Sequence, residues 1–486
     1  MEEKPKEVTL KIDSQEVKAK EGATILEVAK GMGINIPTLC YNKALSAFGS
    51  CRVCSVEIID KRGRSRIVTS CNYPVEEGLI VNTKSERAIK VRKLILELLL
   101  ARTPKVPKIQ ELAREYGIEK PSFTVADEDE DCILCGLCVR VCSELVGVNA
   151  INFAKRGVER EVTTPYDAFS DDCIGCGACA AICPTKSKRT RATTYPVVEE
   201  DAKKINAEFL KGTFDPALGV YKCMFSAKSS YSGQDGGVAT ALLVSGMQKG
   251  LFDSAIVVQR KTGYEAEAIV GENVEDIIKA RGTKYLRVRM LPILNDLLAK
   301  GKTKIAIVGT PCEVRAARKI QLALAPNHPD LQFTIVGLFC FEAFDYDKLK
   351  EAIQKTLNVD LDQAEKTQIH KGKFIATVKG KDYPVAVKDL SSAQEHGCNF
   401  CDDFSNKFAD VSVGSVGSPE GFSTVIVRSD VGEKLLENLQ LTRAEVTKDE
   451  VVKLATFKLS RAKKSFAKII QPETPVQSPA PTPKVQ

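Results

Sequence analysis

CILCGLCVRVC, residues 132–142, and CIGCGACAAICP, residues 173–184, decide how this chain is to be read. Each run spaces its cysteines as C-x2-C-x2-C-x3-C: Cys132, Cys135, Cys138, Cys142, then Cys173, Cys176, Cys179, Cys183, the last followed by Pro184. Thiolates at that spacing wrap a cubane iron-sulfur cluster, and in paired runs the fourth cysteine of each crosses to the other cluster. Cys132, Cys135, Cys138 with Cys183 are therefore expected to hold one [4Fe-4S] cluster, and Cys173, Cys176, Cys179 with Cys142 the other. Gly136, Gly175 and Gly177 keep the loops small. Structural zinc is the competing reading, but zinc closes on four ligands, whereas these runs make an eight-ligand set of pseudo-two-fold symmetry. The repeat, at about forty residues, predicts a two-cluster ferredoxin module over 120–195.

Upstream stands a group of different spacing, Cys40, Cys51, Cys54 and Cys71. A ten-residue gap, a C-x2-C pair and a distant fourth cysteine suit a loop folded over a [2Fe-2S] cluster, with Gly49 and Ser50 allowing close backbone approach. Zinc knuckles usually come as two short pairs. Around this loop, Val8 to Ile12 and Glu16 to Ala19 alternate as a hairpin, and Thr24 to Lys30 reads as a helix opened by a Thr24/Glu27 capping box. Ile67 to Thr69 and Leu79 to Val81 supply further strands. The order predicts a β-grasp ferredoxin domain over 1–84. Residues 85–119, helical in spacing and interrupted at Pro104 and Pro107, read as a helical connector.

Residues 5–120 resemble the N-terminal ferredoxin domain shared by the large iron-sulfur subunit of respiratory complex I, iron-only hydrogenases and some formate dehydrogenases. There the following helix leads to ligands of another cluster. Here LLLARTPKVPKIQELAREYGI has neither Cys nor His, so that cluster is expected to be absent.

Twelve of the seventeen cysteines precede residue 184, and Cys223, Cys312, Cys340, Cys398 and Cys401 scatter through the second half. After a polar connector, 205–468 reads as an α/β region: Ser254 to Val258, Lys304 to Val308 and Gln332 to Val336 are strand-like, and Gly237 to Lys249 is helical. Tyr231 to Gly237, YSGQDGG, precedes that helix, and either cradles a phosphate or simply starts the helix. It is not G-x-G-x-x-G, so a Rossmann site is unsupported.

GTPC at 309–312, GLFC at 337–340, CNFCDDF at 398–404 and ADVSVGSVGSPEGFSTVIVRS resemble the beta-subunit family of coenzyme F420-reducing hydrogenases. That family includes deazaflavin-linked dehydrogenase subunits and formate dehydrogenase beta subunits. The resemblance, over about 220–430, implies an FAD-binding domain of non-Rossmann type, a third [4Fe-4S] cluster, and hydride exchange between flavin and a two-electron carrier. For that cluster it implies Cys312, Cys340, Cys398 and Cys401. For FAD it implies Ser232, Gly233, Gln234, Gly236, Gly237, Thr240, Thr283, Lys284, Tyr285, Gly309, Thr310, Gly414, Ser415, Gly417 and Thr424. Cys223 matches no motif and is expected to be a buried, inert thiol. The basic run Lys279, Arg281, Lys284, Arg287, Arg289 either receives an anionic cofactor or is a solvated face. His328, His370 and His396 are expected at the surface.

The whole is expected to be an α+β multidomain iron-sulfur flavoprotein oxidoreductase. With 70 Lys plus Arg against 63 Asp plus Glu, the net charge of +7 suits anionic cofactors. No basic tract with interleaved aromatics supports nucleic acid, and no apolar segment approaches a membrane span, so the chain is placed in the cytoplasm. Residues 469–486, rich in Pro, Thr, Ser and Gln, read as a disordered tail. Coenzyme F420 is the favoured carrier. The alternatives are a formate dehydrogenase or hydrogenase beta subunit using NAD(P) or ferredoxin, or a subunit that only transfers electrons. The partner expected is a hydrogenase, a formate dehydrogenase or a heterodisulfide-reductase-like protein.

Overall fold

The computed structural model describes residues 6–189, 193–231 and 233–470. Strands β1 (Glu7–Ile12) and β2 (Gln15–Lys20) pair antiparallel across a turn in which Asp13 and Ser14 have positive φ. Helix α1 (Ile25–Gly31) carries the expected capping box: Thr24 N donates to Glu27 Oε2 at 2.9 Å and Glu27 N to Thr24 Oγ1 at 3.3 Å. Strands β3 (Ser55–Ile59), β4 (Ser65–Thr69) and β5 (Ile80–Asn82) complete a sheet of order β2-β1-β5-β3-β4, with β1 parallel to β5. Strand β3 was not among the strands expected from sequence. It starts on the residue after Cys54, and its buried face is only Val56 and Ile58, too short an alternation to stand out.

Helices α2 (Glu86–Arg102) and α3 (Pro107–Glu115) break where the prolines stand. Leu96, Leu100 and Ile109 share one core with Cys40, Cys51 and Val53 before them and Cys135, Leu137 and Ile182 after them. The first domain and the module behind it therefore share buried apolar surface. In the module, α4 (Leu137–Arg140) runs into a π-helical turn, Val141–Val146, that carries Cys142. Strands β6 (Asn152–Ala154) and β7 (Glu161–Thr163) pair, and α5 (Ala178–Ile182) follows. Gly136 and Gly177, at equivalent places in the two cysteine runs, cap α4 and α5.

The polar connector expected before residue 205 is instead the start of helix α6 (Glu199–Phe209). Ile205 is buried, and Asp201 pairs with Lys319, so this segment packs rather than links. There follow the hairpin β8 (Thr213–Asp215) and β9 (Gly219–Tyr221), then β10 (Cys223–Lys228), α7 (Val238–Gln248), β11 (Ser254–Arg260), β12 (Ala266–Gly271), α8 (Val274–Lys279) and α9 (Leu291–Ala299). Next come β13 (Lys304–Gly309), α10 (Pro311–Leu324), β14 (Gln332–Leu338), α11 (Tyr346–Leu357) and the three-stranded meander β15 (Lys366–His370), β16 (Lys373–Val378), β17 (Lys381–Ala386). The chain closes with β18 (Val411–Gly414), β19 (Ser423–Val427), α12 (Asp430–Leu436), β20 (Thr442–Ala444) and α13 (Lys448–Ile469).

Eight of these strands form one mixed sheet of order β12-β11-β13-β14-β18-β19-β10-β20, in which β11, β13, β14 and β18 run parallel. Alternation sends Ala255 and Val257 to the face covered by α7, α8 and α12, and Ile256, Ile305 and Ile307 to the face covered by α9 and α10. Cys223 is exposed, contrary to expectation: β20 covers β10 only from Ser226 to Lys228, leaving the start of β10 open. All three histidines are exposed.

Arg428 is fully buried. It donates to Leu218 O at 2.7 Å, Val220 O at 2.9 Å, Ser405 O at 3.1 Å and Ser412 Oγ at 2.8 Å. Arg428→Leu removes the guanidinium donor from three carbonyls and is expected to destabilise the C-terminal region by about 3 kcal/mol, read as a lower denaturant midpoint by circular dichroism.

Helix α13 reaches back to the N-terminal domain. Asn42 Nδ2 donates to Ile469 O at 2.7 Å, and Phe466 packs on Phe400 with ring centroids 5.5 Å apart. The helix thus runs to the first residue of the segment expected as a tail, and 471–486 lie outside the described residues. No helix among the described residues is long and apolar enough to cross a membrane.

Candidate redox site

Cys40, Cys51, Cys54 and Cys71 are all buried where the loops of the first domain meet, and Cys51 N donates to Cys40 Sγ at 3.5 Å. The loop is also held from the module side: Ser50 Oγ donates to Leu134 O at 3.1 Å, and Arg140 donates to Cys40 O at 2.6 Å. In the module, Cys142 lines a small hollow together with Cys173, Cys176 and Cys179. Cys183 lies instead among Cys132, Cys135 and Cys138. Burial chiefly raises those three thiols, and the nearby Cys183 adds to the effect in each. Among the described residues, no group of three or more His, Cys, Asp or Glu side chains is placed to hold a single metal ion.

Cys312, Cys340, Cys398 and Cys401, separated by up to ninety residues in sequence, line one cavity of about 570 Å³. It opens at the carboxyl ends of parallel strands β13, β14 and β18, where open α/β sheets form their binding crevices. Gly309, Thr310 and Cys312 come from the β13–α10 junction, and Cys340 follows β14. Asn406 Nδ2 ties these ends together, donating to Gly309 O at 2.9 Å and Leu338 O at 3.3 Å. Cys398 sits on the short helical turn His396–Phe400. An added Cβ at Gly397 would meet Ile174 Cδ1 at 2.2 Å, so this turn presses directly on the second cysteine run.

Of the residues expected around FAD, Gly233, Gln234, Gly237, Thr240, Thr283, Lys284, Tyr285, Gly309, Thr310, Gly414 and Ser415 line this cavity. Three are turned elsewhere. Gly236 N donates to Ser423 Oγ at 3.1 Å, within the sheet. Gly417 packs against the start of α13, with Thr447 N donating to its carbonyl at 2.7 Å. Thr424 is fully buried, and its hydroxyl bonds to Val416 O at 2.7 Å and Ser418 Oγ at 2.6 Å. All three serve the loops behind the cavity wall. Ser232 lies outside the described residues.

The basic run divides. Lys279 pairs with Glu275 at 3.3 Å, and Arg289 with Asp172 at 2.5 Å. Arg287 donates to Asp172 O at 2.8 Å and lies 3.8 Å from Glu395, so Arg287 and Arg289 dock the residue before Cys173. Lys284 Nζ donates to Val258 O at 2.7 Å, and burial, with Arg260 adding, pushes its pKa down to about 8. Gln234 Nε2 and Ile369 N both donate to Tyr285 Oη, whose pKa burial pushes up to about 12.

Sequence reasoning missed Arg315, Phe339, Phe341, Phe457 and Lys458, which also line the cavity. Arg315 pairs with Asp402 beside Cys401, and Phe341 stacks on Phe457 at 5.7 Å. The residue next to a cysteine pair, Asp402, was the one available signal. The contributions from α13 carry none, because that helix reads as an ordinary amphipathic one.

The four cysteine groups follow one another in file. Burial is the main cause raising Cys176, Cys179 and Cys135, and among the lesser causes are Cys401 on Cys176, Cys138 on Cys179, and Cys40 on Cys135. The pattern described as "Coenzyme F420 hydrogenase/dehydrogenase, beta subunit N-term" matches residues 224–295, and that of the corresponding C terminus matches 302–451. The coenzyme F420 hydrogenase subunit beta of Methanosarcina barkeri is 36% identical over 46% of this chain and 79% of its own length. The chain belongs to that beta-subunit family. To the family region are joined a "2Fe-2S iron-sulfur cluster binding domain" over 5–86 and a "4Fe-4S dicluster domain" over 131–187, so ferredoxin domains of both types precede it.

The coenzyme F420-dependent sulfite reductase of Methanocaldococcus jannaschii is 37% identical over 46% of this chain, which spans only 37% of that protein. The NADPH-Fe(3+) oxidoreductase subunit alpha of Geobacter sulfurreducens is 34% identical over 31% of this chain and 20% of its own length. Among solved structures, a chain of the F420-reducing [NiFe] hydrogenase complex of M. barkeri superposes with TM-score 0.50 and 32% identity, over 52% of this chain and 94% of that one.

Proposed function

We propose that this F420 hydrogenase/dehydrogenase beta-subunit relative exchanges hydride between FAD and a two-electron carrier, coenzyme F420 being favoured, and relays single electrons to or from a partner. The observation that carries this reading is the shared wall of the cavity, in which the glycine turn before α7 faces Cys312, Cys340, Cys398 and Cys401, with Cys176 beside them. In this reading those four cysteines hold a [4Fe-4S] cluster. Cys132, Cys135, Cys138 with Cys183 and Cys173, Cys176, Cys179 with Cys142 hold two more, and Cys40, Cys51, Cys54 and Cys71 hold the [2Fe-2S] cluster.

The donor set fits such groups. Burial pushes the bare Cys135, Cys176 and Cys312 thiols up to about 12, so their thiolates need the positive charge of bound metal. The cavity also fits an anionic, hydrogen-bonding ligand: among the described residues, the Nε atoms of Arg287 and Arg315 on its wall are buried without a partner. Bound flavin supplies the exchange of one hydride for two single electrons. The chain's own part is to hold and screen it. The N-terminus of α7 offers N–H groups to a phosphate, Lys284 supplies positive charge, and the half-buried Phe339 and Phe341 line the cysteine side.

A second reading, with NAD(P) or ferredoxin as carrier, is favoured by the Geobacter relative, whose name specifies NADPH. A hydrogenase-type partner is favoured by the M. barkeri complex. The test is to purify the chain without oxygen, count iron, sulfide and flavin, and titrate with reduced F420. About fourteen irons and one FAD, bleached by reduced F420, support the first reading. Bleaching by NADPH alone supports the second, and absence of flavin leaves an electron-transfer subunit.

Lys284 is charged below pH 8 and neutral above it. The affinity of apoprotein for FAD is therefore expected to fall as pH rises through about 8, and Lys284→Met is expected to remove that dependence. Fluorescence titration of FAD at pH 7 and pH 9 checks both.

A further inference from the structure

Helix α13 contributes a charge to the cavity from outside the family pattern, which ends at residue 451. Lys458 is 1% exposed, and its Nζ donates to Cys340 O at 2.5 Å. Its side chain lines the same cavity wall as Cys312, Cys340, Cys398 and Cys401. Arg461, one turn on, differs: its Nη1 meets Glu342 at 2.9 Å while Nη2 donates to Cys398 O at 3.1 Å. Arg461 is thus neutralised by a carboxylate of its own, whereas among the described residues no carboxylate forms an ion pair with Lys458, whose hydrogen bond goes to the backbone of Cys340. A buried ammonium is costly unless opposite charge accompanies it.

We infer that Lys458 is the fixed counter-cation of the Cys312, Cys340, Cys398, Cys401 group, a positioning residue whose charge raises that group's affinity for an electron. The inference rests on the proposed cluster at these cysteines. One electron enters the cluster, no bond breaks and no proton is required. The group then becomes more negative, and a cation held against it favours that state. Net charge and hydrogen bonds at the ligands are among the factors that set such potentials.

Three variants of the full chain separate charge from shape: Lys458→Gln keeps a donor for Cys340 O without the charge, Lys458→Met removes both, and Lys458→Arg keeps the charge. Each is purified without oxygen, its iron and sulfide are counted, and its clusters are titrated potentiometrically with electron paramagnetic resonance detection. Gln and Met are both expected to shift one cluster's one-electron equilibrium tenfold or more toward the oxidised state, about 59 mV, with Arg close to the parent chain. A Gln variant with the parent's potential overturns the inference, because the hydrogen bond then suffices. Loss of about four irons in Gln and Met but not in Arg supports it, since assembly then needs the charge. Loss in all three overturns it. A parent chain that itself lacks those irons defeats the cluster reading instead, so the two failures are distinguishable.

Discussion

If the proposed cofactor set holds, a chain carrying Cys398→Ala is expected to keep flavin and hold about ten irons in place of about fourteen. Reduced carrier still bleaches the flavin in this variant, but the clusters of the ferredoxin module no longer follow, although dithionite reduces them directly. The reasoning is geometric. Cys398 stands on the turn whose Gly397 presses on Ile174, and the cavity wall passes from Cys312, Cys340, Cys398 and Cys401 to Cys176. On the proposed ligand set, removing one thiolate empties the step between the flavin side and the module while leaving both flanking sites intact. The turn itself is held by backbone bonds, Cys398 N to Glu395 O at 3.0 Å and Cys401 N to Cys398 O at 3.3 Å, which alanine preserves. Full iron content in the variant would remove Cys398 from the ligand set.

At the proposed flavin site, Gly237→Val has the largest expected effect. Gly237 has φ +66°, and an added Cβ would meet Tyr231 O at 2.0 Å and Ser229 Oγ at 2.9 Å. A β-branched residue in this left-handed conformation costs about 1–2 kcal/mol, and the overlap adds about 1–3 kcal/mol. The bond closing the loop, Ser229 N to Gly236 O at 2.7 Å, must yield, and the N-terminus of α7 moves with it. Flavin content is expected to fall to near zero with iron unchanged at about fourteen. Gly250→Ala is the control. It has the same φ of +66° with nothing within 4 Å of the added Cβ, so it is expected to cost about 1 kcal/mol and retain flavin. Flavin absorbance after gel filtration distinguishes the two.

Much of this protein was legible in the residues alone. The C-x2-C-x2-C-x3-C runs were, because three cysteines of each set lie within one short loop and the fourth comes from a second run of the same spacing. The hairpin, the Thr24/Glu27 box and the breaks at Pro104 and Pro107 were legible too: each is decided within a few residues. Strands β11, β13 and β14 announced themselves as apolar runs, being buried on both faces.

What only the tertiary structure decided lies at long separation. Cys312, Cys340, Cys398 and Lys458 meet because three parallel strands end side by side and α13 lies against them, an arrangement set by which faces are buried. Gly417 and Thr424 belong to a motif of the family yet serve the loop behind the wall, and Cys223 stands exposed because β20 stops short of it. Spacing along the chain therefore marked the cysteines of the ferredoxin domains as candidates to share clusters, while burial of the sheet and of α13 determined which groups stand next to one another and which charge faces them.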